Sequence, residues 1–304
     1  STGNFQIEGI QLKDGTAKLL KYKNEEHWNY HFLTEYFSSD TPSSSEPSDG
    51  SFKIQSLVME NMHLIYKNEN AIAGDEREWN FEQFELNHLT VQVSDFIMEK
   101  SDVFATIENA NFKESKSKFE VSQLHGCVHI SELSYAVTDL FFASGNSQIV
   151  GDLSLSVTDT AQWKYADSLM QIQVNISELK LKPSDFTAFS HEVDGLNQQF
   201  NMRGQVTGTL RDLRLNGIQI ETGEDTYVSG NLQLKNLSGN EDFSYAFETE
   251  NMQLTYADLI EIPNYPFNEN NPLPLPVNLA YLGTLEFKGN VAGSAESAEL
   301  EGNF

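Results

Sequence analysis

The amino-acid sequence predicts an all-β protein: an elongated, curled antiparallel sheet that forms an open apolar trough, with a few short helices. The first observation behind this expectation is the alternation of apolar and polar residues at Leu89/Val91/Val93, Leu153/Leu155/Val157, Ile172/Val174/Ile176, Leu213/Leu215 and Leu232/Leu234. That period belongs to strands with one buried face. The second is repetition. Ser144-Gly145 leads through Ile149-Val150 to Gly151-Asp152-Leu153-Ser154-Leu155, and Thr222-Gly223 leads through Tyr227-Val228 to Gly230-Asn231-Leu232-Gln233-Leu234. Likewise Gly204-Gln205-Val206-Thr207-Gly208 returns as Gly289-Asn290-Val291-Ala292-Gly293. A chain that reuses one hairpin unit builds an extended sheet, since a single unit cannot bury its apolar face alone. The third is a recurrent step of three, from Ile7 to Ile10, Leu86 to Leu89, Ile176 to Leu179, Leu215 to Ile218 and Leu234 to Leu237. In a flat strand this step sends the next apolar residue to the wrong face, so each marks a bulge, kink or turn, and together they predict curl.

Along the chain, residues 1–38 read as first strands, beginning at Phe5/Ile7, followed by a short helix, because Trp28, Phe32, Leu33, Tyr36 and Phe37 share one face at helical spacing. Residues 39–51, low in complexity and holding Pro42 and Pro47, read as a flexible loop. Residues 52–304 read as repeated β-hairpin units, which makes 1–304 a single elongated β-groove; the opening without Met and the strand-like close Glu299-Leu300-Glu301-Gly302-Asn303-Phe304 lead to the expectation that it is a segment of a longer protein. Within them Ser184 is placed to cap a short helix with Phe186, Phe189 and Val193 on one stripe. A further helical turn is expected from Ala257 to Glu261, stopped by Pro263. Five prolines between Pro263 and Pro276 exclude a central strand there.

So few helices cover only a fraction of the apolar face. Either a second sheet packs on it as a sandwich, or the sheet curls so that its own apolar side becomes concave. The phase slips favour the second arrangement. The residues expected to line the trough are Leu89, Val91, Val93, Leu153, Leu155, Val157, Ile172, Val174, Ile176, Leu213, Leu215, Leu232 and Leu234. Phe32, Phe186 and Phe189 are candidate gating aromatics.

Lys plus Arg number 19 against 45 Asp plus Glu, a formal net charge of −26, and after Arg214 only Lys235 and Lys288 are basic. Such a chain repels phosphate backbones, so nucleic acid is not an expected partner. The single cysteine, Cys127, excludes an internal disulfide framework. No apolar run approaches the ~20 residues of a membrane-spanning helix. Nucleophile elbow, Walker loop, His-Glu-x-x-His and dinucleotide fingerprint are all missing, and the abundant carboxylates read as a solvated rim. His125, Cys127 and His129 alternate, so a strand puts all three on one face, but a closed zinc site needs a fourth ligand and this spacing is no zinc motif. Neither enzyme activity, nor a cofactor, nor a metal site is expected.

Several stretches together resemble the TamB branch of the AsmA-like superfamily in its Bacteroidetes-type form. They are Phe52 to Tyr66, with Glu60-Asn61-Met62-His63-Leu64-Ile65-Tyr66 echoed at Glu250-Asn251-Met252-Gln253-Leu254-Thr255-Tyr256, and Leu181 to Phe189, with Ser184-Asp185-Phe186. They also include Gly204-Gln205-Val206-Thr207-Gly208-Thr209-Leu210-Arg211-Asp212-Leu213 and the closing Leu282-Gly283 with Phe287-Lys288-Gly289 and Val291-Ala292-Gly293. The resemblance implies a long open β-trough in the periplasm, anchored in the inner membrane and engaging an outer-membrane barrel-assembly protein of the TamA type, both through regions outside this segment. It implies phospholipid acyl chains as cargo, carried between the inner and outer membranes in outer-membrane biogenesis. The alternative role is an assembly scaffold or chaperone module for outer-membrane β-barrel proteins.

Overall fold

The computed structural model of the chain describes residues 5–32, 51–71, 78–237, 243–264, 267, 271, 273–294 and 297–303. The protein is mostly β, and its strands form a curled, unclosed and predominantly antiparallel sheet. Two compact units divide it, Ser1–His125 and Gly126–Phe304.

In the first unit three short strands, β1 (Phe5–Ile7), β2 (Ile10–Lys13) and β3 (Thr16–Lys21), follow one another along the long β4 (Ser51–Asn68). All three run parallel to it, with Phe5 opposite Phe52, Ile10 opposite Leu57 and Thr16 opposite His63. The expected curled antiparallel sheet thus carries three short parallel strands beside β4. Parallel neighbours need a long crossover, and the connection from Lys21 to Ser51 is long enough to be one. β5 (Gln83–Glu99) and β6 (Asp102–Glu114) pair antiparallel after it, and β7 (Glu120–Ile130) spans the division between the units. The core of this unit is Met62, Leu86 and Leu89, surrounded by Met59, Leu64, Trp79, Phe84, Val91 and Phe112. Trp79 fills it out by meeting Phe84 at 5.5 Å and Phe112 and Phe119 edge-on at 6.2 and 5.9 Å between ring centroids. Of the helix expected after Trp28, the described residues hold only a start at His31 and Phe32. Leu33, Tyr36, Phe37 and the loop up to residue 50 lie outside them, whereas Ser51 already belongs to β4.

The second unit continues as a meander of β8 (Ser134–Ser144), β9 (Ser147–Ser156), β10 (Gln171–Leu181), β11 (Phe200–Thr209), β12 (Asp212–Thr222), β13 (Thr226–Lys235), β14 (Ser244–Thr255), β15 (Thr284–Ser294) and β16 (Ala298–Asn303). Neighbours in sequence are neighbours in the sheet. Short helical pieces occupy the connections. A 3₁₀ turn at Thr160–Tyr165, capped by Asp159, leads into α1 (Ala166–Leu169). α2 (Tyr256–Ile260) lies where a turn at Ala257 to Glu261 was expected, and Thr255 caps it. The helix expected after Ser184 is instead two 3₁₀ turns, Pro183–Phe186 and His191–Val193. Ser190 divides them, because its hydroxyl accepts from the Glu192 amide at 3.3 Å and so competes with continued helix, while the Ser184 hydroxyl turns to Asn197. Residues 273–276 of the proline-rich stretch carry no strand.

Strands β8 to β14 are bent. Register shifts fall at Val137/Leu140, Ile176/Leu179, Arg203/Gln205, Leu215/Ile218, Ser229/Gly230 and Thr249/Met252, which places a line of bulges across the unit. Thr138, Asp139, Ser177, Glu178, Asn216, Gly217, Glu250 and Asn251 along that line are exposed. Ile176, Ile218 and Thr249, on the other face, are only 8%, 2% and 3% exposed. The sheet is therefore creased along the bulges with its apolar side inward, since only the inner side of a bend brings two halves of each strand close enough to exclude water. Two of the steps of three, Ile176 to Leu179 and Leu215 to Ile218, are these bulges. Leu86 to Leu89 coincides with the shift at Asn87/Thr90 in β5, Ile7 to Ile10 with the break between β1 and β2, and Leu234 to Leu237 with the end of β13.

Candidate functional site

The inner face of the creased second unit can be read row by row from its pairing. One row runs through Val137, Leu153, Val174, Val206, Leu215, Leu232, Phe247, Val291 and Leu300, from β8 to β16. Beside it, away from the crease, lie Tyr135, Leu155, Ile172, Gly208, Leu213, Leu234, Tyr245, Gly293 and Ala298. Across the crease lie Phe142, Ile149, Leu179, Met202, Ile220, Val228, Met252 and Phe287. None of the three rows contains a charge or a side-chain amide. At an interstrand spacing of about 4.8 Å the first row covers about 38 Å. Its members from Val137 to Val291 are half-buried and Leu300 is 56% exposed, so among the described residues no second layer seals this face. The outer face of the same strands carries Asp152, Asn175, Gln205, Asn216, Asn231, Glu248, Asn290 and Glu301. Shallow clefts of about 360, 290 and 460 Å³ on it mix polar groups such as Arg203, Glu221, Asp152 and Glu248 with apolar surface such as that of Ala136 and Ala246.

Along the crease, glycine alternates with a larger residue: Leu140, Gly151, Ile176, Gly204, Ile218, Gly230, Thr249, Gly289. Close approach demands this. A Cβ on Gly151 would stand 1.9 Å from the Asn175 carbonyl oxygen, and one on Gly230 2.0 Å from that of Glu248. The larger residue of each neighbouring strand thus beds against bare backbone. Thr249 is the one polar member. Its hydroxyl donates to the Gly289 carbonyl at 2.9 Å and accepts from the Gly289 amide at 2.8 Å, so it brings no unpaired group to the floor.

The residue after the glycine explains the repeated Gly-Asp/Asn-Leu sequence. Asp152 Oδ1 accepts from the Asp139 amide at 3.0 Å, and Asn231 Oδ1 accepts from the Gly217 amide at 2.9 Å. Asp139 and Gly217 are bulge residues with φ of 52° and 56°. In the first unit Asn61, with φ of 50°, donates its amide to Thr90 Oγ1 at 3.4 Å.

Aspartates close the repeated hairpin turns in the same manner. Asp185 accepts from the Asn146 amide at 2.7 Å and the Ser147 hydroxyl at 2.8 Å, and Asp258 accepts from the Glu224 and Asp225 amides, each at 3.1 Å. Burial pushes the Asp258 carboxyl up, but hydrogen bonds from Thr226, the Glu224 and Asp225 amides and Thr255 outweigh it and bring the pKa down from 3.8 to about 2. Glu114 does similar work in the first unit, at 2% exposure. Burial again opposes its ionisation, yet the Ser117 hydroxyl (2.8 Å) and the amides of Ser117 (2.7 Å), Glu85 (3.3 Å) and Lys116 (2.9 Å) hold its pKa below the usual carboxylate value.

Of the residues expected to line a trough, Leu153, Val174, Leu215 and Leu232 share the first row, Leu155, Ile172, Leu213 and Leu234 the second, and Ile176 the crease. Val157 is 6% exposed just beyond β9, where its amide donates to the Leu133 carbonyl. In the first unit Val91 sits between Met59 and Ala110, Val93 between Leu57 and Ile107, and Leu89 opposite Met62 in the core. The candidate gating aromatics divide between the two units. Phe32 is 64% exposed in the first unit, while Phe186 and Phe189, with ring centroids 6.4 Å apart, lie in the β10–β11 connection of the second. Sequence reasoning missed the whole far row and the turn-closing role of Asp185 and Asp258. The signal available for that role was the repeated Ser/Thr-Gly turn, but its carboxylate arrives from a connection 38 residues after Ser147 in one copy and 34 after Glu224 in the other.

Among the described residues no three of His, Cys, Asp and Glu come together to hold a metal ion, and Cys127 is exposed. No helix among them is long and apolar enough to cross a membrane. No family model, curated protein or solved structure matches the chain.

Proposed function

We propose that the chain is a trough segment that shields lipid acyl chains during phospholipid transport between the inner and outer membranes, in the periplasm, as its resemblance to TamB implies. The observation that carries this reading is the set of uninterrupted apolar rows on an inner face that still reaches water. An acyl chain laid along these rows meets no charge, and the backbone groups beneath it are already engaged in the sheet ladder. Each CH₂ taken out of water contributes about 0.8 kcal/mol, so continuity of the floor matters more than any single contact. The acidic, polar outer face keeps the loaded segment soluble. On this reading, an inner-membrane anchor and a TamA-type partner belong to regions outside the segment, and the role is passage and protection without catalysis.

A second reading, an assembly scaffold for outer-membrane β-barrels, draws on β16. Its residues are exposed along its length, and an extended chain can pair with exposed strand backbone of a sheet. Native mass spectrometry of protein purified gently from membranes separates the two. Adducts of phospholipid mass are expected. A clean apo mass, together with crosslinks from β16 to nascent barrel proteins and none from the inner face to lipid, would replace the first reading with the second.

A further inference from the structure

The crease decides how far the two halves of the inner face stand apart, and its bulges are held by side chains from the next strand. Asp139 occupies the left-handed region, which costs a residue with a side chain more than it costs glycine and which Asp tolerates better than most. Gly217 occupies the same region at the corresponding place in the next repeat. Both residues are exposed, so burial does not pin them. What the two bulges share is an amide hydrogen bond to the residue that follows a crease glycine, Asp152 after Gly151 and Asn231 after Gly230, which holds the bulge of β8 to β9 and that of β12 to β13. The glycines let strands β9 and β13 press against their neighbours, and the acceptors one residue later hold the bulges in place.

We infer that Asp152 and Asn231 are positioning residues that set the bend of the sheet, and with it the width of the trough, by holding the amides of Asp139 and Gly217 in the left-handed bulge. The consequence for cargo rests on the proposed acyl-chain function, whereas the geometry does not. Without its cap, Asp139 relaxes towards extended backbone, the bulge loses its lock and the crease opens. The sequence carries its own control, because the two copies use different acceptors, a carboxylate at 152 and an amide at 231. The Asp152 role thus requires an acceptor oxygen and no charge. Asp152 Oδ2 also accepts from the Asn175 amide at 3.4 Å, and in an Asp152→Asn variant the Asn175 amide can turn its oxygen to the new NH₂ group.

The test places spin labels at Gln173→Cys and Glu221→Cys, exposed outer-face positions on opposite sides of the crease, with Cys127→Ser in every protein. Double electron–electron resonance on the whole chain then reports the bend directly. Asp152→Ala with Asn231→Ala should broaden the distance distribution and shift its mean, while Asp152→Asn should keep the native distribution. The single alanine variants are read in the same way, so that loss of fold in the double variant leaves the test standing. An unchanged distribution in the alanine variants, or an Asp152→Asn distribution as broad as that of Asp152→Ala, overturns the inference. Phospholipid retention measured on the same proteins should fall with the broadening. Retention absent even from the native protein would sink the proposed function and leave the distance result intact.

Discussion

Replacing Asp258 with asparagine isolates the contribution of a closed hairpin turn. The carboxylate offers one oxygen to the Glu224 amide and the other to the Asp225 amide, each at 3.1 Å. Asparagine has one acceptor oxygen, so one of the two amides meets an NH₂ group and loses its partner. At 8% exposure the site gives water little chance to substitute. The shift from 3.8 to about 2 corresponds to about 2 kcal/mol in favour of the ionised form in the folded chain. Because the folded pKa is depressed, this stabilisation is complete above about pH 4 and disappears as the pH falls through about 2. Asp258→Asn should therefore lower the unfolding free energy by about 2 kcal/mol at neutral pH, and the gap between native protein and variant should close between about pH 4 and about pH 2. Urea denaturation followed by circular dichroism across that range measures the gap, and hydrogen exchange at Glu224 and Asp225 shows whether the turn itself opens. A gap that stays constant on acidification would refute the assignment to an ionised carboxylate. One that widens would reverse its sign.

Gly151→Ala and Gly230→Ala, whose Cβ atoms would stand 1.9 and 2.0 Å from carbonyl oxygens, should each cost about 2 kcal/mol or more, since backbone must shift to admit them. Gly217→Ala meets open space and should cost only about 1 kcal/mol, from its left-handed φ; thermal unfolding ranks the three. Ile218→Ala, at the 2%-exposed bottom of the crease, should destabilise by about 3 kcal/mol, against about 1 kcal/mol for the half-buried Leu213→Ala on the floor. Equal losses would mean that the floor is as tightly packed as the crease. Leu153→Asp and Leu213→Asp should leave the circular dichroism spectrum native, because this face reaches water, and should abolish phospholipid retention and passage in the full-length protein. Undiminished lipid passage with charge in the floor would count directly against the trough function.

Strand alternation and the bulges expected from a step of three were legible because both are local, whereas those at Val137/Leu140, Arg203/Gln205, Ser229/Gly230 and Thr249/Met252 emerged only from the strand register. Leu213 and Leu215 must share a face whatever surrounds them, and a step such as Leu215 to Ile218 forces a bulge within a single strand. The repeated Gly-Asp-Leu and Gly-Asn-Leu were legible as repeats, but the capping of Asp139 by Asp152 and of Gly217 by Asn231 depends on strand register, which no single strand encodes. The expected helix after Ser184 failed for a local reason of a different kind, since Ser190 satisfies backbone through its own side chain and divides the segment.

By itself, then, the sequence determined an all-β chain with one apolar face, repeated hairpins and some of the places where strands must bend. Tertiary structure alone decided that β1 to β3 run parallel to β4, that the bulges align into one crease with Ile176, Ile218 and Thr249 inside it, and that Asp185 and Asp258 reach back to close earlier turns. The physical reason is range. Side-chain alternation and bulges are set by neighbours one to three residues away, whereas strand direction, alignment of bulges and turn closure depend on partners tens of residues distant, whose meeting is specified only by the folded sheet.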